Sequence, residues 1–139
     1  MFDFRKSKGF NIEIAESQKN MLSAPEKINK VLQDDNVIAF DIYKDNHLIG
    51  FAMLRNYEES SYFLWDYAVD YKYQNSGYGS KALQELLCFL KSNYQAKKVT
   101  TTYIYGNEHA KHIYEKIGFV ETDIVDEEDI HEVNMIIEI

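Results

Sequence analysis

Between a hydrophobic, aromatic run and a leucine-rich one the chain carries Gln74-Asn75-Ser76-Gly77-Tyr78-Gly79. The preceding run, Tyr62 to Val69, has the β-branched and aromatic content of a strand. From Gly77 the period changes, and Leu83, Leu86, Leu87 and Leu90 fall at i, i+3, i+4 and i+7, one face of a helix reaching to about Asn93. Val99 to Ile104 reads as the next strand and Asn107 to Ile117 as the next helix. Strand, glycine turn, helix, strand restricts the chain to a fold with a crossover, so strands 62–69 and 99–104 are expected to be parallel. The turn itself has the makings of a backbone cradle for a phosphate-like anion. Glycine lets the main chain come close, and a helix start presents unpaired N–H groups and the positive end of its dipole. Main-chain N–H groups from Asn75 to Ser80 would do the holding, with Gln74 assisting through its side chain or backbone, and Tyr78 is expected to be exposed in the loop. The plainer alternative is that Gly77 and Gly79 only make a tight turn.

The remaining chain fills in a mostly antiparallel sheet. Val37 to Tyr43 and Leu48 to Leu54 read as a hairpin around Lys44-Asp45-Asn46-His47, and Asn56 to Ser61 as a polar connection. Ser23 and Glu26 have capping-box spacing, with Pro25 at the first turn of a short helix running to about Gln33. Gly118 stands where a helix ends, and Phe119 to Val125 and Val133 to Ile139 close the chain as strands around Asp126-Glu127-Glu128-Asp129. Phe10, Ile12 and Ile14 alternate as in a strand, while Ala15 to Leu22 also fits a helix. The class is α/β, or α+β by a looser definition. No linker, repeat or low-complexity tract interrupts 139 residues that are 45% hydrophobic, so one domain over 1–139 is expected.

Fifteen basic against 23 acidic residues leave a net charge of −8, which disfavours nucleic acid and anionic membrane and suits a cationic small molecule. No apolar run approaches the roughly 20 residues that span a bilayer, and Met1 to Lys6 lacks the apolar region of a signal peptide, which predicts a cytoplasmic protein. Cys88 has no partner for an internal disulfide and reads as an apolar helix-interior residue, a catalytic thiol being the alternative. His109 and His112 are three apart but lack further placed ligands, so no metal is expected.

Val69 to Gly79 resembles motif A of the GCN5-related N-acetyltransferases (GNAT), the Q/R-x-x-G-x-G/A signature, and Asn107-Glu108-His109-Ala110 through Tyr114-Glu115-Lys116-Ile117-Gly118-Phe119 resembles a downstream segment of the same family. Looser likenesses at Glu16-Ser17-Gln18-Lys19, Ala39 to Tyr43, Ile49 to Met53 and Trp65 are most similar to the small bacterial spermine/spermidine acetyltransferases. Met1 to Arg5 departs from the family by being short for its first strand. The resemblance implies a sheet whose parallel pair splays around acetyl-CoA, with no metal. It implies that the pantetheine arm pairs with the backbone of Tyr67, Ala68 and Val69, that Asn107 contacts it beside its role as helix N-cap, and that Tyr114 meets the departing sulfur.

Direct attack by an amine needs no enzyme nucleophile, and strand N–H groups would stabilise the tetrahedral oxyanion. Deprotonating an alkylamine of pKa near 10.4 costs roughly 4.6 kcal/mol at pH 7, so a base is expected. Asp66 and Glu16 are the candidates, each also readable as an exposed carboxylate. The resemblance therefore implies N-acetylation of a small-molecule amine, a polyamine (spermidine or spermine) being preferred. A protein N-terminus, lysine, amino acid or aminoglycoside is the alternative acceptor, and a non-catalytic acyl-CoA-binding protein the alternative class. A homodimer is compatible, since the strand Val133 to Ile139 either pairs across an interface or completes its own sheet.

Overall fold

The structure, a computed structural model, describes residues 1–14, 22–74 and 76–139. Chain order is β1 (Asp3–Lys6), α1 (Pro25–Val31), β2 (Val37–Lys44), β3 (His47–Glu58), β4 (Ser61–Val69), a 3-10 turn (Tyr71–Tyr73), α2 (Tyr78–Tyr94), β5 (Lys98–Ile104), α3 (Glu108–Ile117), β6 (Val120–Glu127) and β7 (Ile130–Glu138). The strands form one sheet ordered β1-β2-β3-β4-β5-β7-β6. Only β4 and β5 run parallel, as the crossover through α2 requires; the other neighbours are antiparallel. The abbreviated first strand forms at the sheet edge on β2, and β7 lies between β5 and β6, so the C-terminal strand completes the sheet of its own chain.

Local chemistry explains the joints. The two-residue turn between β2 and β3 has Asp45 and Asn46 at φ 51° and 67°, the left-handed pair that matches strand twist and that these short polar residues tolerate. The segment expected as a connection at residues 56–61 is instead mostly the end of β3, because Ser60 at φ 63° lets the chain reverse in a two-residue turn. The capping box at Ser23 is not formed: Ala24 is the N-cap of α1 without a side-chain bond, and the Ser23 N–H is spent on Asp66 instead. Phe10 and Ile12 pack against the sheet, but no strand forms there.

Two apolar layers sandwich the sheet. On one face α2 and α3 cover a core that includes Phe40, Leu54, Leu86, Val99, Phe119 and Met135. On the other, α1 and the N-terminal segment cover Ile28, Ala39, Phe51, Met53 and Ala68. Cys88 is exposed, a correction to the expected interior position: α2 buries Ala82, Leu83, Leu86, Leu87 and Leu90, and 100° per residue turns position 88 away from that stripe.

Near the middle of β4 the register with β3 slips, Met53 facing Asp66 while Leu54 faces Leu64. Trp65 is the extra residue, a bulge that sends both it and Asp66 to the α1 side: the Trp65 ring joins the α1-face core and Asp66 takes the Ser23 N–H. Gly50, opposite Val69 at the end of this pairing, is held to glycine by sterics, since a Cβ there would lie 2.9 Å from the Ala68 carbonyl oxygen and 3.3 Å from Ile42 Cδ1. Gly50→Ala is therefore expected to cost about 1–3 kcal/mol of unfolding free energy, read from urea or thermal denaturation; an unchanged midpoint would show that β3 and β4 approach less closely here.

Candidate active site

The parallel pairing of β4 with β5 lasts four residues, Ser61 to Leu64 against Lys98 to Thr101. Beyond that point β5 stays with β7 to Ile104, and β4 stays with β3 through Val69, but the two no longer bond to each other. The sheet therefore opens between them. Thr101 marks the fork: its hydroxyl is buried and donates to the Leu64 carbonyl at 3.1 Å, a side-chain bond where the ladder stops. The edge of β4 facing the gap includes Tyr67, Ala68 and Val69, the residues expected to pair with an extended amide chain.

At the end of β4 the chain turns through the 3-10 segment into α2. Asp70 organises this turn, its Oδ1 accepting from the Lys72 N–H at 3.0 Å and its Oδ2 from the Glu13 N–H at 3.1 Å. The Gln74 side-chain amide donates to the Val69 carbonyl at 3.1 Å and the Ser76 hydroxyl to the Tyr73 carbonyl, so both hold the turn. Gly77 at φ 81° is the N-cap of α2 and gives it no side-chain cap. The N–H groups of Tyr78, Gly79 and Ser80, at the first three helical positions, have no acceptor within their own helix. By contrast α3 is capped, the Asn107 Oδ1 accepting from the Ala110 N–H at 3.2 Å as its sequence position predicted.

A Cβ on Gly77 would meet nothing within 4 Å, and one on Gly79 would make only ordinary contacts, 3.7 Å to Ile113 Cδ1 and 3.9 Å to Val69 Cγ2. Gly77 is thus demanded by its backbone angle, while at Gly79 the fold itself would accept a methyl group. A glycine there suits close approach by a group from outside the chain, which fits a diphosphate on the α2 dipole. Tyr78 corrects the expectation of an exposed loop residue: it opens the helix half-buried, edge-on to Phe2 with ring centroids 5.7 Å apart and stacked on Tyr73 at 6.2 Å. Asn75 and Glu16 lie outside the described residues.

Tyr114 comes to the gap from α3, on the helical side, with its ring 5.4 Å from Phe119. Burial raises the pKa of its phenol, the Thr101 hydroxyl beside it works in the opposite direction, and the charge of Asp66 raises it further. Asp66 approaches from the α1 side and is only 3% exposed. Its Oδ1 accepts from the Ser23 N–H at 3.0 Å, while Oδ2 is buried with no hydrogen-bond partner among the described residues. Burial raises its pKa above the usual carboxylate value, opposed by bonds from Ser23 and by the Lys27 charge. The phenol thus lies on the α2/α3 face of the sheet and the carboxyl on the α1 face.

The residues matching both sequence motifs surround this opening. The family model for the acetyltransferase (GNAT) family matches residues 8–119. The chain belongs to that family. It is an acetyl-CoA-dependent N-acetyltransferase by class, with the mixed, mostly antiparallel GNAT sheet. It is 29% identical over 112 residues to a spermine/spermidine N(1)-acetyltransferase of Bacillus subtilis, covering 73% of this chain and 74% of that one. A GNAT family acetyltransferase from Elizabethkingia anophelis with acetyl-CoA bound has the same fold, with TM-score 0.74, 18% identity and coverage of 99% and 98%. So does a spermidine N-acetyltransferase from Vibrio cholerae in complex with CoA and spermine, with TM-score 0.68, 22% identity and coverage of 81% and 72%.

Ser23, Lys27 and Thr101 lie outside both sequence motifs, and Asp70 lies inside the first without a role of its own expected there. Their roles follow from strand register and loop path, though strand alternation does set the Thr101 hydroxyl on the opposite face of β5 from those of Thr100 and Thr102. The raised pKa of Asp66 has a consequence for stability. An acid whose folded pKa exceeds its unfolded value binds more protons when folded, so stability falls as pH rises from the ordinary aspartate pKa to the folded one. Asp66→Asn should therefore melt higher than wild type at pH 7 and lose that advantage near pH 3.5 to 4. Thermal melts of both proteins across this range test it, and a pH-independent difference would mean that the carboxyl is not perturbed.

Proposed function

We propose that the protein acetylates a small primary amine, a polyamine such as spermidine or spermine being the preferred acceptor, by direct attack within the gap between β4 and β5. One observation carries the reading: the Asp66 Oδ2, without a hydrogen-bond partner among the described residues, is buried on the face of the sheet opposite Tyr114, near the place where the two strands separate. The net charge of −8 favours a cationic acceptor, and the names of the relatives point to polyamines.

Acetyl-CoA supplies an activated acetyl thioester with a thiol as leaving group. The N–H groups of Tyr78, Gly79 and Ser80 hold its diphosphate, the β4 edge from Tyr67 to Val69 pairs with the pantetheine amides, and Asn107 borders the arm from α3. Asp66 receives the ammonium of the acceptor at Oδ2 and takes its proton, leaving the neutral amine lone pair free to form the N–C bond. The raised pKa narrows the gap between an ordinary carboxylate and an alkylammonium, which makes Asp66 a better base than an exposed aspartate. Tyr114 gives its phenolic proton to the sulfur as the C–S bond breaks, and the second proton of the attacking nitrogen, lost as the amide forms, restores the phenol. An unassisted thiolate is stabilised in water by hydration that this apolar cleft lacks, so a neutral donor held next to the sulfur matters most there.

Coenzyme A release measured with spermidine, spermine, a lysine peptide and an aminoglycoside should show highest kcat/KM for a polyamine. Tight acetyl-CoA binding with no turnover of any amine would refute catalysis. Tyr114→Phe should lower kcat about 100-fold with the Kd for acetyl-CoA nearly unchanged, whereas equal losses in both would assign Tyr114 a structural role. Asp66→Asn should remove the acidic limb of the pH–rate profile; a retained limb would place the base elsewhere.

A further inference from the structure

Tyr67 belongs to the open edge of β4 through its backbone, yet its side chain reaches across to α2. Its hydroxyl donates to the Gly79 carbonyl oxygen at 2.6 Å. A strand side chain thus bonds to a main-chain carbonyl in the first turn of the helix. Although the residue as a whole is half-buried, the hydroxyl end lies in the interior, where burial and the neighbouring Tyr114 hold the phenol neutral and able to donate.

We propose that Tyr67 is a positioning residue that fixes the distance between the open edge of β4 and the start of α2, and so sets the span over which the two halves of acetyl-CoA are gripped. The inference rests on the cofactor placement given under the proposed function. One residue serves both halves: its main chain lies on the edge that takes the pantetheine amides, and its side chain anchors the carbonyl of the glycine whose N–H faces the diphosphate. Nothing else among the described contacts ties this edge of β4 to the first turn of α2 by a hydrogen bond. Two binding half-sites held at fixed separation favour a ligand whose length matches, and the advantage is lost when the separation relaxes.

Tyr67→Phe keeps the ring and removes only the hydroxyl and its bond to the Gly79 carbonyl. The kcat/KM with acetyl-CoA should then fall about tenfold. That with S-acetylpantetheine, which reaches only the strand half, should fall by no more than about threefold, as should inhibition by ADP, which reaches only the helix start. A uniform loss across all three, or no loss with acetyl-CoA, would overturn the inference. Wild-type enzyme offers a second test that needs no variant: a donor with one extra methylene in its pantetheine arm should be used about tenfold less well, and equal use would count against a fixed span. If wild-type protein neither binds nor uses acetyl-CoA, the cofactor placement itself fails and the inference falls with it. Binding by wild type with a uniform loss in Tyr67→Phe overturns the inference alone.

Discussion

A parallel strand pair that stops bonding after four residues leaves backbone N–H and C=O groups facing each other across a gap in the middle of a sheet. Everything else at the site follows from how the chain sustains that opening. Neither strand is adrift: β4 keeps its ladder with β3 to Val69, and β5 keeps its ladder with β7 to Ile104, so each side of the gap is braced from outside. At the fork Thr101 substitutes a hydroxyl for the missing backbone donor, and the bulge at Trp65 bends β4 where the separation begins. An extended ligand with its own amides can satisfy groups that water would otherwise have to reach, which makes the gap a strand-shaped site.

The two faces of the sheet then divide the chemistry. The face under α2 and α3 carries Tyr114 and the uncapped start of α2, groups suited to an anion and a leaving thiolate. The other face, under α1, carries Asp66 and offers a cation its only deeply buried carboxyl oxygen on β4 without a partner among the described residues. On the proposed reading, an anionic donor would be held on the first face and a cationic acceptor on the second. Tyr114 feels the charge of Asp66 through the gap, so protonation of one face alters the donor on the other.

What could be read in the sequence was whatever depends on backbone geometry or helical period. Gly77 needs its positive φ, Asn107 caps α3, and the leucines of α2 face the core, all as their spacing demands. What could not be read depends on where strands stop and shift. The bulge at Trp65 turns Asp66 inward, and an aspartate readable as exposed becomes one of the most buried polar residues. Ser23 looked like a helix cap because Glu26 follows at the right interval, but a carboxylate arriving from β4 competes for its N–H and wins. The hydroxyl of Tyr67 was invisible for the same reason, since family likeness assigns that position only a backbone role and its partner lies twelve residues along the chain.

Asp66 and Asp70 show how satisfaction, more than burial, separates structural from chemical carboxylates. They lie four residues apart at the end of one strand, exposed by 3% and 7%, and both take a backbone N–H from the N-terminal segment. Asp70 receives a second N–H from Lys72, so each of its oxygens has a partner. Among the described residues Asp66 has a partner for one oxygen only, and the same burial therefore penalises its charge. A chain selected for stability alone would gain by replacing such a residue with an apolar one of similar size. Keeping a half-satisfied carboxylate beside an opening in the sheet makes physical sense when a cation from outside completes it during the reaction, which is the role its geometry leaves open.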